Sequence, residues 1–175
     1  FNVASHYDIE FDMKPVNCPH HIQIYNAVPR SYKDLPLKYS EVTMQYRDEK
    51  PGQIGGLQRV RAITVDDGHI FLAPENVEQV IGDFVKIIQD VHGGLGMDGD
   101  HRGSLSLRDP QKPADYIGDE ADWKVAEAKL KEMSDKFDLE AKPMEGEAAL
   151  CGPKLAFMCS TLMGKETQLA PIQLD

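Results

Sequence analysis

The residues best suited to do chemistry are gathered in one stretch, Gln58 to Phe71, QRVRAITVDDGHIF, and in an earlier one, KPVNCPHH, that contains Cys18. Arg59 and Arg61 stand at period two, so on a strand both guanidinium groups leave the same face. A guanidinium keeps its proton at any working pH and matches the oxygens of phosphates and carboxylates. A carboxylate pair, Asp66 and Asp67, and a histidine, His69, follow directly. The pattern reads as an anion site beside a candidate metal site.

Each feature also has a plainer reading. A lone cysteine is most often a small buried hydrophobe, and charged residues along a strand most often form a solvated face. His6, His20 and His21 are of the kind usually found on surfaces or in structural roles.

The elements that must position these residues follow from periodicity. Tyr7 to Met13 alternates apolar and acidic residues, as a half-buried strand does. Asn17 is placed to cap a helix that starts near Pro19, carries Ile22, Ile24, Tyr25 and Val28, and ends before Pro29. Cys18 would occupy that strand-to-helix corner. Leu35 to Glu49 reads as extended, with Val42, Met44 and Tyr46 on one face and Arg47 and Glu49 on the other. The loop EKPGQIGG turns the chain, and Leu57 to Val65 returns as the partner strand, a long-looped hairpin with arginines on both arms.

Pro74 suits a helix start, and Val77, Val80, Ile81, Phe84, Val85, Ile88 and Val91 make an apolar stripe up to Gly93 and Gly94. His101 to Arg108 alternates like a strand. Glu120 to Phe137 is a second amphipathic helix through Trp123, Ala126, Leu130, Met133 and Phe137. Lys154 to Cys159 and Gln168 to Leu174 are two further strands about a turn at Met163 and Gly164. Hairpins rather than βαβ repeats indicate an α+β domain, an antiparallel β-sheet flanked by helices.

The 175 residues suffice for one domain with a sizeable core. No apolar run is long enough to span a bilayer and no charged-then-apolar leader is visible, as expected of a soluble protein, and a first residue of Phe rather than Met suggests a fragment. Nineteen basic against 29 acidic residues give a formal net charge of −10. That balance opposes a stand-alone nucleic-acid binder, so any RNA contact must be local. Cys18, Cys151 and Cys159 show no paired spacing, as expected of a reduced, cytoplasmic protein.

The ordered series KPVNCPHH, SYKDLPLKYSEV, YRDE, GLQRVR, DDGHIF, CGPK and QLD resembles the catalytic core of threonyl-tRNA synthetases, class II aminoacyl-tRNA synthetases, across nearly the whole chain. An ordered series is far more specific than any one short motif. The resemblance implies a partial class II catalytic domain over residues 1–175, with the motif 2 region inside and motifs 1 and 3 outside the chain. It implies ATP-dependent activation of threonine to threonyl-adenylate, with magnesium accompanying ATP, and transfer to tRNA(Thr), in a homodimer. Arg47 would hold the α-phosphate and the substrate carboxylate, Glu49 the adenine edge and Arg59 the terminal phosphates, with Lys154 a further catalytic residue. Asp67 and Gln173 would bind the substrate. Cys18 and His69 would ligate a zinc ion that recognises threonine, whose third protein ligand would lie beyond Asp175.

The chain departs from the family pattern at Gly55, Ile63, Val65, Cys151 and Pro171, where the family has histidine, phenylalanine, glutamine, tyrosine and threonine. Two functional readings follow. One is a working synthetase core; the other is a catalytically silent synthetase-like module that binds a protein or RNA partner.

Overall fold

A computed structural model describes residues 2–4, 9–56, 58–97, 102–161 and 163–175. They fall into two compact units, Phe1–Asn76 and Val77–Asp175.

In the first unit, β1 (Asn2–Ala4) and β2 (Glu10–Asp12) form a short antiparallel ribbon. His6, Tyr7 and Asp8 lie outside the described residues. The alternation around β2 does not translate into burial: Ile9 and Phe11 are 51% and 54% exposed, because no layer covers the ribbon. Helix α1 (Cys18–Asn26) starts where Pro19 can sit in the first turn without losing a needed N–H. Asn17 occupies the cap position, but its side chain makes no capping bond. Its carbonyl accepts from His20 N and His21 N, and its amide reaches elsewhere.

Strands β3 (Leu37–Tyr46) and β4 (Ala62–Phe71) pair antiparallel in continuous register from Leu37↔Phe71 to Tyr46↔Ala62. The expected hairpin is present. Its return strand, however, begins at Ala62 rather than 57 and runs through DDGHIF. The reason is local: Gly56 takes a positive φ of 55°, and an isolated bridge Gly55↔Arg59 keeps Arg59 in the connection.

The covered face of β3 is the more polar one. Val42 and Met44 are exposed, while Tyr39, Glu41, Thr43 and Gln45 turn toward α1 or the interior. Alternation located the strand, but a polar and aromatic helix face decided which side was covered.

The second unit holds the apolar core. Helix α2 (Val77–Gly94) buries Val77, Val80, Ile81 and Val85; α3 (Glu120–Lys136) buries Trp123, Leu130 and Met133. These residues meet Leu105 of β5 (Gly103–Leu107) and Leu155, Ala156 and Phe157 of β7 (Lys154–Ser160) as the unit's buried apolar residues. With β6 (Lys142–Glu145) and β8 (Glu166–Gln173) the sheet order is β6-β5-β7-β8. The α+β class holds. Two details differ: β6 was not legible as a strand, and it pairs parallel with β5 across α3, so one βαβ connection sits beside the antiparallel pairs.

Gly152, of the CGPK segment, is buried. A Cβ there would overlap the Leu174 carbonyl and the Asp175 carboxylate. The backbones of the two segments thus approach as closely as only glycine permits. Gly152→Ala is expected to lower unfolding free energy by about 1–3 kcal/mol in denaturant titration, as overpacking does.

On the surface of the same unit, the Glu78 carboxyl of α2 is held below the usual carboxylate range, chiefly by its hydrogen bond to the Lys136 ammonium of α3. A carboxyl lowered on folding adds stability above its unfolded pKa, near ~4.3, and loses it as pH falls through the folded value. Glu78→Gln should therefore flatten the acid limb of a stability–pH profile and leave the limb above about pH 7 unchanged in slope.

Candidate functional site

In the first unit, α1 lies along β4 in three matched contacts. The Asn17 amide donates to Asp67 Oδ2 at 2.7 Å. His21 Nδ1 and His69 Nδ1 share a hydrogen bond at 2.6 Å. The rings of Tyr25 and Phe71 stack with centroids 4.1 Å apart and planes at 14°. Residues four apart on a helix rise ~6.0 Å, and residues two apart on a strand advance ~6.6 Å. The steps are nearly equal, so Asn17, His21 and Tyr25 meet Asp67, His69 and Phe71 without a register slip.

Around His21 the seam extends to β3. Its Nε2 lies 3.3 Å from Glu41 Oε1, and its ring packs against Tyr39 at 5.8 Å. Lys14 Nζ donates to Thr43 Oγ1 at 2.9 Å and lies 3.5 Å from the same Glu41 oxygen. Asn17 is fully buried, His21 is 3% exposed, and Asn17 Oδ1 has no hydrogen-bond partner. A cleft of about 380 Å³ beside the seam is lined by Lys14, His20, His21, Ile24, Tyr39, Ser40 and Glu41. Neither Cys18, Asp67, His69 nor any arginine of the sequence-derived site lines it.

The other end of the hairpin collects the arginines. Arg47 N donates to Arg61 O at 2.8 Å, which continues the ladder past the last strand residues. Arg59 Nε donates to the Glu49 carboxylate at 3.0 Å, and Arg61 Nε to the Glu49 backbone carbonyl at 3.1 Å. Glu49 is 11% exposed in its side chain while Arg59 is 56% exposed. One carboxylate thus aligns the cationic end while leaving Arg59 largely in solvent. Arg47 reaches Gln45 Oε1 at 3.5 Å.

The structure brings Arg47, Glu49 and Arg59 together. It also brings Asp67 and His69 to the first turn of α1, where half-buried Cys18 sits between Asn17 and His21. From Arg61 to Asp67 the strand advances six residues, roughly 20 Å at ~3.3 Å per residue. That span suits an elongated ligand with an anionic part at one end.

In the second unit, Lys154 and Gln173 are cross-strand partners on β7 and β8. The Gln173 amide donates to Cys151 Sγ at 3.2 Å and also bonds the Asp175 carboxylate.

For a metal, Cys18 and His69 are the right donor types. Among the described residues no group of three His, Cys, Asp or Glu side chains is arranged to hold an ion. The donor chemistry fits zinc as two of the protein ligands and does not complete a site. None of the three cysteines forms a disulfide.

Sequence reasoning missed Asn17 and His21 as site residues. The signal available was the spacing, Asn17, His21 and Tyr25 at steps of four against Asp67, His69 and Phe71 at steps of two.

The whole chain, residues 1–175, matches the family model described as the tRNA synthetase class II core domain (G, H, P, S and T). It is 43% identical over 166 residues to a threonine–tRNA ligase of an Exiguobacterium species, covering 95% of this chain and 26% of that protein. The threonine–tRNA ligase of Rubrobacter xylanophilus is 42% identical over 168 residues, with 96% and 26% covered. The chain thus spans about a quarter of the length of the curated relatives it matches. A crystal structure described as the RNA binding domain of threonyl-tRNA synthetase from Cryptosporidium parvum superposes with a TM-score of 0.84 at 31% identity, over 100% of this chain and 42% of that one. The chain belongs to the class II tRNA synthetase core-domain family, and within it is similar to the threonine–tRNA ligases.

Proposed function

We propose that this chain is the motif 2 core of a threonine–tRNA ligase, which joins threonine to ATP as threonyl-adenylate, releasing pyrophosphate, and passes the threonyl group to tRNA(Thr). The observation that carries this reading is the hairpin itself, with a cationic end and a Cys18/Asp67/His69 end separated by the length of an extended ligand. Arg47 would hold the α-phosphate and the threonine carboxylate. Its charge stabilises what gathers on phosphorus and cannot be lost by deprotonation. Arg59 would bind the terminal phosphates of Mg-ATP, and Glu49 would accept from the adenine edge while keeping Arg59 aligned. For Lys154, as a catalytic residue, and Gln173, as a substrate-binding one, the family resemblance is the support.

Threonine and valine share a shape, and an apolar pocket separates them poorly. A zinc ion held here would supply a Lewis acid for the threonine amine and hydroxyl. In this chain Cys18 and His69 would hold it, and Asp67, fixed by Asn17, would accept from the threonine side chain. The full protein's homodimer and a cytoplasmic location belong to the same proposal; among the described residues no helix is long and apolar enough to cross a membrane.

The two-donor metal set, with Ile63 and Val65 facing Gln45 and Thr43 across the hairpin, favours a second reading, a synthetase-like module without catalysis. ATP–pyrophosphate exchange with threonine or valine, with and without zinc, separates the two. The proposal expects exchange that requires threonine and zinc and falls about 10²–10³-fold in Arg47→Ala. Exchange indifferent to Arg47, or equal with valine, contradicts it. ATP binding with no exchange supports the silent module.

A further inference from the structure

We infer that Cys151 is a positioning residue and that, with a bulge at Ala170 and Pro171, it presents Gln173 as a hydrogen-bond acceptor beside Lys154, for an N–H of the bound amino acid. The inference rests on the proposed reading that Gln173 meets the substrate, whereas the geometry of its amide stands without that reading. Strand β7 pairs with β8 as Lys154↔Gln173 and Leu155↔Ile172, then as Phe157↔Leu169 and Met158↔Gln168. Ala170 and Pro171 therefore both oppose Ala156, the two-against-one count of a β-bulge. Directly opposed residues share a face of the sheet. The bulge thus turns both Leu169 and Ile172 to the side of buried Leu155 and Phe157, and puts Gln173 with Lys154, Met158 and Gln168 on the other. In an unbroken strand Gln173 would share the face of Leu169. Ala170 has a φ of 39°, in the left-handed region that a residue with a side chain rarely adopts, least of all before proline. Pro171 has no N–H to leave unpaired at the bulge. Strain of this kind persists where the surroundings over-determine it, and here the face of Gln173 depends on it.

The amide is fixed from the CGPK segment. Leu174 N donates to Pro153 O at 3.2 Å, which draws Cys151 and Gly152 alongside the end of β8. There Gln173 Nε2 donates to Cys151 Sγ at 3.2 Å and to the Asp175 carboxylate. A carboxylate only accepts, so a flipped amide would set oxygen against oxygen, and Nε2 is the atom that must face it. Both hydrogens of the amide are then taken, and Oε1 is left for a ligand. Gln173 is exposed, so that oxygen is open to one. With Lys154 on the same face, the pair offers one acceptor and one cation. That is the complement of an ammonium and a carboxylate carried by one small molecule. Cys151, a departure from the family's tyrosine, thus has its sulfur in the place that holds the amide.

The test is NMR of the 175-residue chain with the Gln173 side-chain NH₂ and Cδ signals assigned, alone, with threonine, and with 3-hydroxybutanoate, which is threonine without its amine. We expect cross-strand contacts between residues 154 and 173, and both Gln173 amide protons exchanging about 10-fold more slowly than those of exposed Gln168. Cys151→Ala should free one of the two protons and leave the other protected; Cys151→Ser, whose oxygen can accept, should restore the first. A residue that merely packs would move both or neither. Ala170→Gly, which suits a positive φ, should keep the bulge and both protected protons. Threonine should shift Gln173 Cδ, 3-hydroxybutanoate should not, and threonine should bind about 10-fold more weakly to Cys151→Ala. Lys154 opposite Ile172, freely exchanging amide protons, a Cys151→Ala effect on both protons or neither, or a Cδ that bound threonine leaves unmoved or that 3-hydroxybutanoate shifts equally, overturns the inference. The predicted register and protection with no threonine binding by the unaltered chain would uphold the positioning by Cys151 and count against the proposed function instead.

Discussion

The hydrogen bond from the Asn17 amide to Asp67 is the constraint on which the first unit depends. Among the described residues of that unit only Asn17, His21 and Gln45 are buried, and all three are polar. An apolar core is therefore not what holds α1 on the hairpin. The seam of Asn17–Asp67, His21–His69 and Tyr25–Phe71 does that, and its directionality fixes register as a hydrophobic face would not. Sliding α1 by one residue would break two hydrogen bonds and a ring stack together. The buried amide would then lose solvent and partner at once and the half-buried carboxylate its donor, a cost of about 1–3 kcal/mol.

The same seam accounts for the division of labour along β4. Its C-terminal half, Asp67 to Phe71, is consumed in docking α1 and thereby gathers the polar and sulfur-bearing side chains. Its N-terminal approach, Arg59 and Arg61, is left to the loop and to Glu49. Keeping the cations at the open end costs little, because Arg59 stays mostly solvated and a single carboxylate aligns it. An acidic chain of net charge −10 thus still presents a local cationic patch.

Much of this was legible in the sequence because it is local. The stripes of α2 and α3 were read from the 3.6 period: Val77, Val80, Ile81 and Val85 of α2 and Trp123, Leu130 and Met133 of α3 are buried as the period names them, whereas Phe84 and Val91 are exposed and His92 and Ser134 are buried without being named. The hairpin was read from two runs and a glycine-rich loop. What escaped had a long-range cause. Asn17 looks like a helix cap, yet its amide is taken by a carboxylate 50 positions away. His21 looks like a surface histidine, yet its partner is 48 positions away. The covered face of β3 was not legible, because a polar helix face chose it. Short β6, all exposed and carrying Pro143, has neither alternation in burial nor β-propensity to reveal it.

The central claim is that Asn17 and Asp67 act as one coupled unit that docks α1 onto β4. A double-mutant cycle measures this directly, with Asn17→Ala, Asp67→Ala and the pair compared by denaturant unfolding of the 175-residue chain. The account predicts a coupling energy of about 1.5–3 kcal/mol, as for a buried hydrogen bond to a charged group. Additive effects, within about 0.5 kcal/mol, would contradict it.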